Sequence, residues 1–367
     1  MINMRVLLLV LGLLGPANAS ALNSANNQHS QELGLDVDVL AINDEVKTLL
    51  DTYIKPVHGQ VERVEALHML LFHDDFLGID YDSAYTKTAQ ETYDSRLGNC
   101  LSLANLFVAA ARYLDLPAKF QSVTVPRRWE RSGQFYIVPG HVNVHIKTRS
   151  KKILVELLAT YYDTPQRKLH TEIISDEQAL ADYFSNLGVE ALERQEYSNA
   201  VAYLEKSTRI YPKDSVAWSN LGVAYKLANN FSAAEQAYIR ALSIHKNNTS
   251  AINNIYALYT QMGEEKKAEK YKKIVERNNR RNPYHYAKLA QSKIESKDYI
   301  AAIKQLEKAI RLNPNEASFY HSMAIAYYHL QDYELLVESI EKAKSAAKTQ
   351  QSAQRYQAKL EAILTSL

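Results

Sequence analysis

Apolar and small residues recur every 34 residues along the C-terminal half of the chain. In each period, large residues stand at positions 4 and 7 and mostly small ones at position 8, a spacing that puts them on one face of a helix. The periods start at Ala181, Ser215, Thr249, Pro283 and Ala317. The pattern predicts five helical hairpins over residues 181–350, and residues 351–367 are expected to form a capping helix.

Small residues at position 8 let the two helices of each hairpin approach closely. Gly188, Gly222, Ala290 and Ala324 hold this position in four units, and the third unit has Tyr256. Each hairpin leaves an apolar face that only the next hairpin covers, so the units must stack. This organisation resembles the tetratricopeptide repeat family, and the resemblance implies an all-α tetratricopeptide solenoid.

The same resemblance implies that a protein or peptide partner binds on the concave face of the solenoid, which is lined by the first helix of each hairpin. Asn220, Asn253 and Asn254 lie on first helices and are candidates for hydrogen bonds to an extended peptide backbone. The alternative is that these three residues are solvated helix positions without a binding role.

Residues 36–175 follow a different pattern. Asp44–Ile54 and Gly59–Phe72 have helical apolar spacing, and a polar stretch with turn-forming residues comes next. Gly98-Asn99 then breaks the chain before a run with apolar residues at i, i+3, i+4 and i+7. This run predicts a buried helix with Cys100, the only cysteine, at or near its N-terminus. The helix dipole and the free amide N–H groups there favour a thiolate.

Strands are predicted after this helix. Lys119–Val123 has the alternation and β-branched residues of a strand, and Lys151-Lys152 is the expected turn of a hairpin. Ile153–Leu158 then returns antiparallel. Polar and apolar residues alternate along Gly140–Ile146, so one face of that strand carries His141, Asn143 and His145. Together with the buried helix, these strands predict an α+β domain.

A thiol, an imidazole and a carboxylate follow one another along this domain, in the order expected for a Cys-His-acid triad. In such a triad the histidine takes the thiol proton and the carboxylate orients the imidazole. The alternative is that Cys100 is only a small buried apolar residue. His145 is a second candidate base, although four residues of strand place it about 13 Å beyond His141. Asp163 is a second candidate acid.

The segment from Gly98-Asn99-Cys100 to Leu116-Pro117-Ala118 resembles the core of the transglutaminase-like superfamily, across roughly residues 80–165. The resemblance implies a papain/transglutaminase-like α+β fold with Cys100 as nucleophile, His141 as base and Glu156 as acid. The sequence departs from the family pattern where Glu156 replaces the usual Asp and where Asn143 replaces a common Trp. The resemblance further implies acyl chemistry on amide bonds, with hydrolysis favoured over transfer to an amine.

The first nineteen residues have the pattern of a cleavable export signal. Arg5 precedes an apolar run, and Ala17-Asn18-Ala19 supplies small residues before a mature start near Ser20. We therefore expect a signal peptide at 1–19, a disordered lead-in at 20–35 and a periplasmic or secreted protein without a stable membrane anchor. The domains are then 36–175, 181–350 and 351–367.

Composition narrows the function further. The formal net charge is only +2, which gives no indication of nucleic-acid binding. The sequence has no cluster of His, Asp or Cys with metal-ligand spacing and no glycine-rich phosphate loop, so no metal or other cofactor is expected. Two functions stay open. One is an exported thiol enzyme whose repeats recruit a protein or peptide substrate, and the other is a catalytically inactive scaffold.

Overall fold

The computed structural model describes residues 5–8, 34–82, 84–124, 130–132, 135–157, 170–347 and 350–366. The chain forms two compact units, Met1–Tyr271 and Lys272–Leu367. The boundary between them falls inside the third predicted repeat, the one in which Tyr256 replaces the small residue. Of the predicted export signal and lead-in, the structure describes only Arg5–Leu8 and residues 34–35; the remainder lies outside the described residues.

The first unit opens with an α+β region. Its helices are α1 (Asp44–Tyr53), α2 (Gln60–Phe72), α3 (Ala89–Ser95) and α4 (Cys100–Tyr113). Its strands are β1 (Arg5–Leu8), β2 (Asp80–Tyr81), β3 (Leu97–Gly98), β4 (Ala118–Thr124), β5 (Glu130–Ser132), β6 (Phe135–Pro139), β7 (His141–Lys147), β8 (Lys152–Val155) and β9 (His170–Ile173). The mixed α/β composition predicted for this half of the chain is confirmed.

A four-stranded antiparallel sheet in the order β8-β7-β4-β9 supports the region. Helix α4 packs on β4 and β7. Its residues from Cys100 to Ala111, which include the predicted apolar positions, are all buried. Leu106 and Phe107 of α4 lie in one apolar core with Phe120 of β4 and Val144 of β7. This packing fixes the start of α4 relative to the first residue of β7.

Two details of this region differ from the sequence-based prediction. The prediction that the hairpin turn includes Lys152 is wrong. Lys152 is already in β8, where it pairs with Lys147, and the turn lies over residues 148–151. The returning strand ends at Val155, so Glu156 lies just beyond the strand instead of within it.

Helix α3 was not predicted, although its capping box can be recognised in the sequence. The Thr88 side chain accepts a hydrogen bond from the backbone N–H of Glu91, and the Glu91 carboxylate accepts one from the backbone N–H of Thr88.

A second, three-stranded sheet has the order β1-β6-β5. Its β1 strand, Arg5–Leu8, pairs antiparallel with β6 in the register Arg5 to Pro139. The backbone of β1 also lies close to the first helices of the first three repeats.

The repeats of the first unit are built as predicted. Their helices are α5 (Asp176–Glu193), α6 (Tyr197–Ile210), α7 (Ser215–Leu227), α8 (Phe231–Ile244), α9 (Thr249–Gln261) and α10 (Glu265–Asn279), the last of which crosses the unit boundary. A Cβ atom added at Gly188 would lie 2.5 Å from Leu204, and one added at Gly222 would lie 2.4 Å from Tyr238. In the first two hairpins, glycine at position 8 is therefore required by the close approach of the two helices.

Helix α5 joins the α+β region to the repeats. It begins at Asp176, ahead of the unit start predicted at Ala181, with Ser175 as its N-cap. Tyr183 and Phe184 of α5 belong to the same apolar core as α4, and Asp176 forms a bidentate ion pair with Arg112. The first repeat and the α+β region thus share one core, while the five-part domain division remains a prediction.

The second unit continues the helical array. Its helices are α11 (Pro283–Glu295), α12 (Tyr299–Leu312), α13 (Ala317–His329), α14 (Tyr333–Ser345) and α15 (Gln350–Ser366). Leu360 of α15 packs with Ala324 and Ile340, while the role of residues 351–367 as a capping helix stays a prediction. Among the residues described in either unit, no helix is both long and apolar enough to cross a bilayer.

Candidate active site

Cys100 is the first residue of α4. The preceding Asn99 caps the helix, since its side-chain oxygen accepts hydrogen bonds from the backbone N–H and the hydroxyl of Ser102, both at 2.9 Å. Gly98 is required just before the cap, because a Cβ there would lie 2.8 Å from the Cβ of Ser102. The local sequence therefore fixes the thiol at the positive end of a buried helix.

The cap of α4 is itself held from outside the helix. Asn99 donates through Nδ2 to the hydroxyl of Thr86 at 2.7 Å. Glu190 of α5 accepts hydrogen bonds from the backbone N–H and the hydroxyl of Thr86 at 2.9 and 2.8 Å. All three side chains are buried. A side chain of the first repeat is thus connected through two hydrogen-bonded residues to the helix start that carries the thiol.

His141, the first residue of β7, lies between Cys100 and Glu156. Its Nε2 is 2.7 Å from Oε1 of Glu156, and its imidazole interacts with the Cys100 thiol. His141 is fully buried and Glu156 nearly so. The structure therefore brings together the three residues selected from the sequence.

The electrostatics of the three groups favour a charged imidazole. Burial by itself lowers the pKa of His141, but the hydrogen bonds and charges of Cys100 and Glu156 outweigh it and raise the pKa to about 9. At neutral pH the imidazole is then protonated beside the thiol. A thiolate–imidazolium pair is the resting form expected of an activated cysteine.

Glu156 is positioned by several neighbours. Its Oε1 also accepts a hydrogen bond from the backbone N–H of Leu157 at 3.1 Å, and Asn143 lies 3.5 Å from its Oε2. His68 of α2 hydrogen-bonds the backbone of Glu156. Asn143 stands where the family commonly has Trp, and Glu156 stands where it usually has Asp. The two departures from the family pattern therefore lie side by side.

The alternative base is not part of this arrangement. His145 lies opposite Lys119 and Leu154 in the sheet and is only partly buried. Its pKa is lowered by burial and then by the charges of nearby lysines, with no carboxylate among the causes. Asp163 lies outside the described residues.

The candidate partner-binding asparagines lie on the first helices, and they are less exposed than the alternative of solvated helix positions implies. Asn220 and Asn254 are almost completely buried, and Asn253 is partly buried. Asn186 was missed, although it holds the same position of the first repeat that Asn220 and Asn254 hold in the next two. The 34-residue period could have identified it. Whether these residues bind a partner stays a prediction.

Comparison with known proteins supports both halves of this description. Residues 48–157 match the transglutaminase-like superfamily, a range that contains Cys100, His141 and Glu156. Residues 181–214, 215–248 and 290–331 match three models of tetratricopeptide repeats. The first two matched ranges have the boundaries of the first two predicted repeat units.

Two curated relatives match a short stretch of the chain. The chain is 32% identical over 82 residues to Superkiller protein 3 of Schizosaccharomyces pombe and 28% identical over 87 residues to that of Saccharomyces cerevisiae. Each match covers 22% of this chain and 6% of the relative's length.

Two solved structures align with about half of the chain. Pseudomonas aeruginosa pilF aligns with 52% of this chain and 94% of its own, at 18% identity and a TM-score of 0.35. YrrB, described as a tetratricopeptide repeat protein with an unusual peptide-binding site, aligns with 48% of this chain and 92% of its own, at 15% identity and a TM-score of 0.27.

Proposed function

We propose that this chain, which joins a transglutaminase-like domain to tetratricopeptide repeats, is an exported thiol enzyme that cleaves amide bonds in a protein or peptide held by the repeats. One observation carries the proposal. The buried His141 imidazole lies between the Cys100 thiol and the Glu156 carboxylate, with 2.7 Å between Nε2 and Oε1. This is the geometry needed for a nucleophile, its base and the group that orients the base.

The reaction would proceed in two steps. The Cys100 thiolate attacks the amide carbonyl carbon, the C–N bond breaks, and the His141 imidazolium gives its proton to the leaving amine. Water then adds to the thioester and gives a proton to His141, the C–S bond breaks, and the thiolate returns. The backbone N–H of Cys100, in the first turn of α4, is a suitable donor to the oxyanion. An amine in place of water would give transfer instead of hydrolysis.

Substrate binding is assigned to the concave face of the repeats. Support comes from the position shared by Asn186, Asn220 and Asn254 on three successive first helices. Support also comes from β1, since this extended segment pairs with β6 while its backbone lies close to α5, α7 and α9. An extended peptide that took the place of β1 would make the same backbone hydrogen bonds to β6.

Export is part of the proposal and rests on the sequence pattern of residues 1–19. Cleavage near Ser20 would remove Arg5–Leu8 and leave the edge of β6 open. The proposed mature enzyme therefore has a free edge strand beside the first three repeats.

A scaffold without catalysis is the second candidate, and the complete burial of Cys100 favours it. A thiol-directed probe separates the two functions. If the chain is an enzyme, iodoacetamide at neutral pH should alkylate Cys100 in the folded protein, and Cys100→Ala should abolish peptide hydrolysis without changing the thermal unfolding midpoint by more than a few degrees. A folded chain whose thiol reacts only after unfolding would rule out the enzyme.

A further inference from the structure

Asp182, on the first-repeat helix α5, is a buried carboxyl that the proposed reaction does not use. Only 5% of the residue is exposed, and its Oδ2 atom has no hydrogen-bond partner in the part of the chain that the structure describes. It takes part in none of the ion pairs found among the described residues. A buried carboxyl oxygen without a partner is costly, and nearly all such groups in folded proteins are paired. Asp182 therefore suggests a ligand whose donors would complete it.

The surroundings of Asp182 indicate the charge of that ligand. Burial raises the pKa of Asp182 well above its usual range, and the nearby charges of Asp214 and then of Cys100 raise it further. Asp214 is partly buried, and it caps α7 by accepting a hydrogen bond from the backbone N–H of Val216 at 2.7 Å. The charges of Asp214 and Cys100 thus both act on Asp182, and among the described residues no positive side chain forms an ion pair with it.

We propose that Asp182, assisted by Asp214, binds a positively charged group of the substrate, an alkylammonium or a guanidinium, beside the Cys100 thiol. The proposal rests on the proposed function of Cys100 and names the substrate class for that site. The N–H donors of the cation would pair with the Oδ2 atom of Asp182, and its charge would relieve the repulsion between the two carboxyls. Asp182 keeps its proton in the free protein and releases that proton when the cation binds.

The cationic group has two sources within one reaction. It could be a lysine or arginine side chain next to the amide that Cys100 attacks, or it could be the ammonium of a diamine whose other, neutral amino group accepts the acyl group. Both place a nitrogen-centred cation next to the thioester carbonyl, so both would require the same carboxyls.

The rate of thiol modification tests the site directly, because Cys100 is the only cysteine. The full-length protein would be treated with three methanethiosulfonates: cationic 2-aminoethyl, neutral methyl and anionic 2-sulfonatoethyl. In each reaction the thiolate attacks the sulfenyl sulfur, a mixed disulfide forms and a sulfinate leaves. We expect the cationic-to-neutral rate ratio to be at least about tenfold higher in the folded protein than in the urea-unfolded chain.

Asp182→Asn should remove most of this preference while keeping the size of the side chain. Glu177→Gln, which removes one exposed charge from the same helix, is the matched control and should leave the ratio unchanged. Asp214→Asn should lower the ratio as well, because it removes the second carboxyl. This variant should still fold, since asparagine caps a helix as effectively as aspartate. Circular dichroism would show that each variant is folded.

The outcomes separate the inference from the function on which it rests. If none of the three reagents modifies folded wild-type protein, the proposed thiol enzyme fails. If all three react and the folded and unfolded ratios agree, or if folded Asp182→Asn keeps the wild-type ratio, the cation site alone fails. Should Asp182→Asn not fold, the wild-type comparison and Asp214→Asn decide the question.

Peptide substrates distinguish the two sources. A lysine beside the reactive amide should raise kcat/KM at least about tenfold over norleucine if the cation belongs to the acyl donor, and Asp182→Asn should abolish the difference. If the cation is part of the acceptor, cadaverine should be incorporated faster than n-pentylamine, which has no second ammonium. This difference in rate should also require Asp182. Hydrolysis of neutral peptides with neither preference would overturn the proposal.

Discussion

Glu190 and Thr86 connect the first repeat to the start of the thiol-bearing helix. Glu190 Oε1 accepts two hydrogen bonds from Thr86, and the Thr86 hydroxyl in turn accepts one from Asn99, the residue that caps α4. Because each bond in this series is buried, loss of one leaves polar atoms without partners in the interior. The first repeat is therefore part of the support of the candidate active site, and binding a substrate is not its only role.

Glu190→Ala should weaken both the fold and the reactivity of the thiol. The buried backbone N–H of Thr86 would lose its acceptor, at a cost of about 1–3 kcal/mol in the free energy of unfolding. Release of Thr86 would also loosen Asn99, so we expect slower alkylation of Cys100. Urea unfolding and iodoacetamide kinetics measure the two effects. Glu177→Ala is the control on an exposed turn of the same helix, and equal behaviour of the two variants would contradict this role for Glu190.

Truncation should show the same dependence. A chain that ends at residue 175 lacks Tyr183 and Phe184, which fill the core shared with α4. We expect this chain to be unfolded or aggregated, because the core loses two aromatic side chains and exposes the surface that they covered. A chain that ends at residue 248 keeps two complete repeats and should retain a reactive thiol. A soluble, reactive 1–175 fragment would show that the α+β region folds independently.

The acid of the triad can be tested through the pH dependence of turnover. The imidazolium must donate its proton to the leaving amine, so kcat/KM should fall as pH rises through about 9, the pKa that Cys100 and Glu156 give to His141. Glu156→Gln removes one of the charges that raise this pKa, so the alkaline limb should move to lower pH. The maximum rate should drop by roughly 10²–10⁴-fold, as for other triads that lose their acid.

Glu156→Asp provides the matched control for this experiment, because it keeps the charge and shortens the side chain by one methylene. We expect its alkaline limb to stay near that of the wild type, with a lower rate caused by the longer gap to Nε2. An unchanged pH profile of kcat/KM in Glu156→Gln would exclude Glu156 as the acid. The candidates for the acid would then be residues beyond Leu157.

The sequence predicted those features that depend on local pattern. The cysteine at the start of α4 follows from Gly98-Asn99 and the apolar period after it, and the repeat starts follow from a strict 34-residue spacing. His141 could be chosen over His145 only through the family resemblance, since both lie on one face of the strand. The contact between Glu190 and Thr86 joins residues 104 positions apart and has no local signature. Asp182 was missed because a single acid on a helix resembles a solvated one until its burial is known.

Removal of the N-terminal segment should open the proposed peptide site. In the full chain, Arg5–Leu8 occupies the edge of β6 as a strand and its backbone lies near three first helices of the repeats. A tethered segment competes at an effective concentration in the millimolar range, so a chain that starts at Ser20 should bind an extended peptide at least about tenfold more tightly than the full chain. Fluorescence anisotropy of a labelled library peptide, measured with the Cys100→Ala variant of both chains, gives the two values of Kd. Asn220→Ala should weaken binding to the shorter chain, whereas Lys246→Ala, at an exposed position after α8, should not. Equal Kd values for the two chains would mean that the edge of β6 is not where the peptide binds.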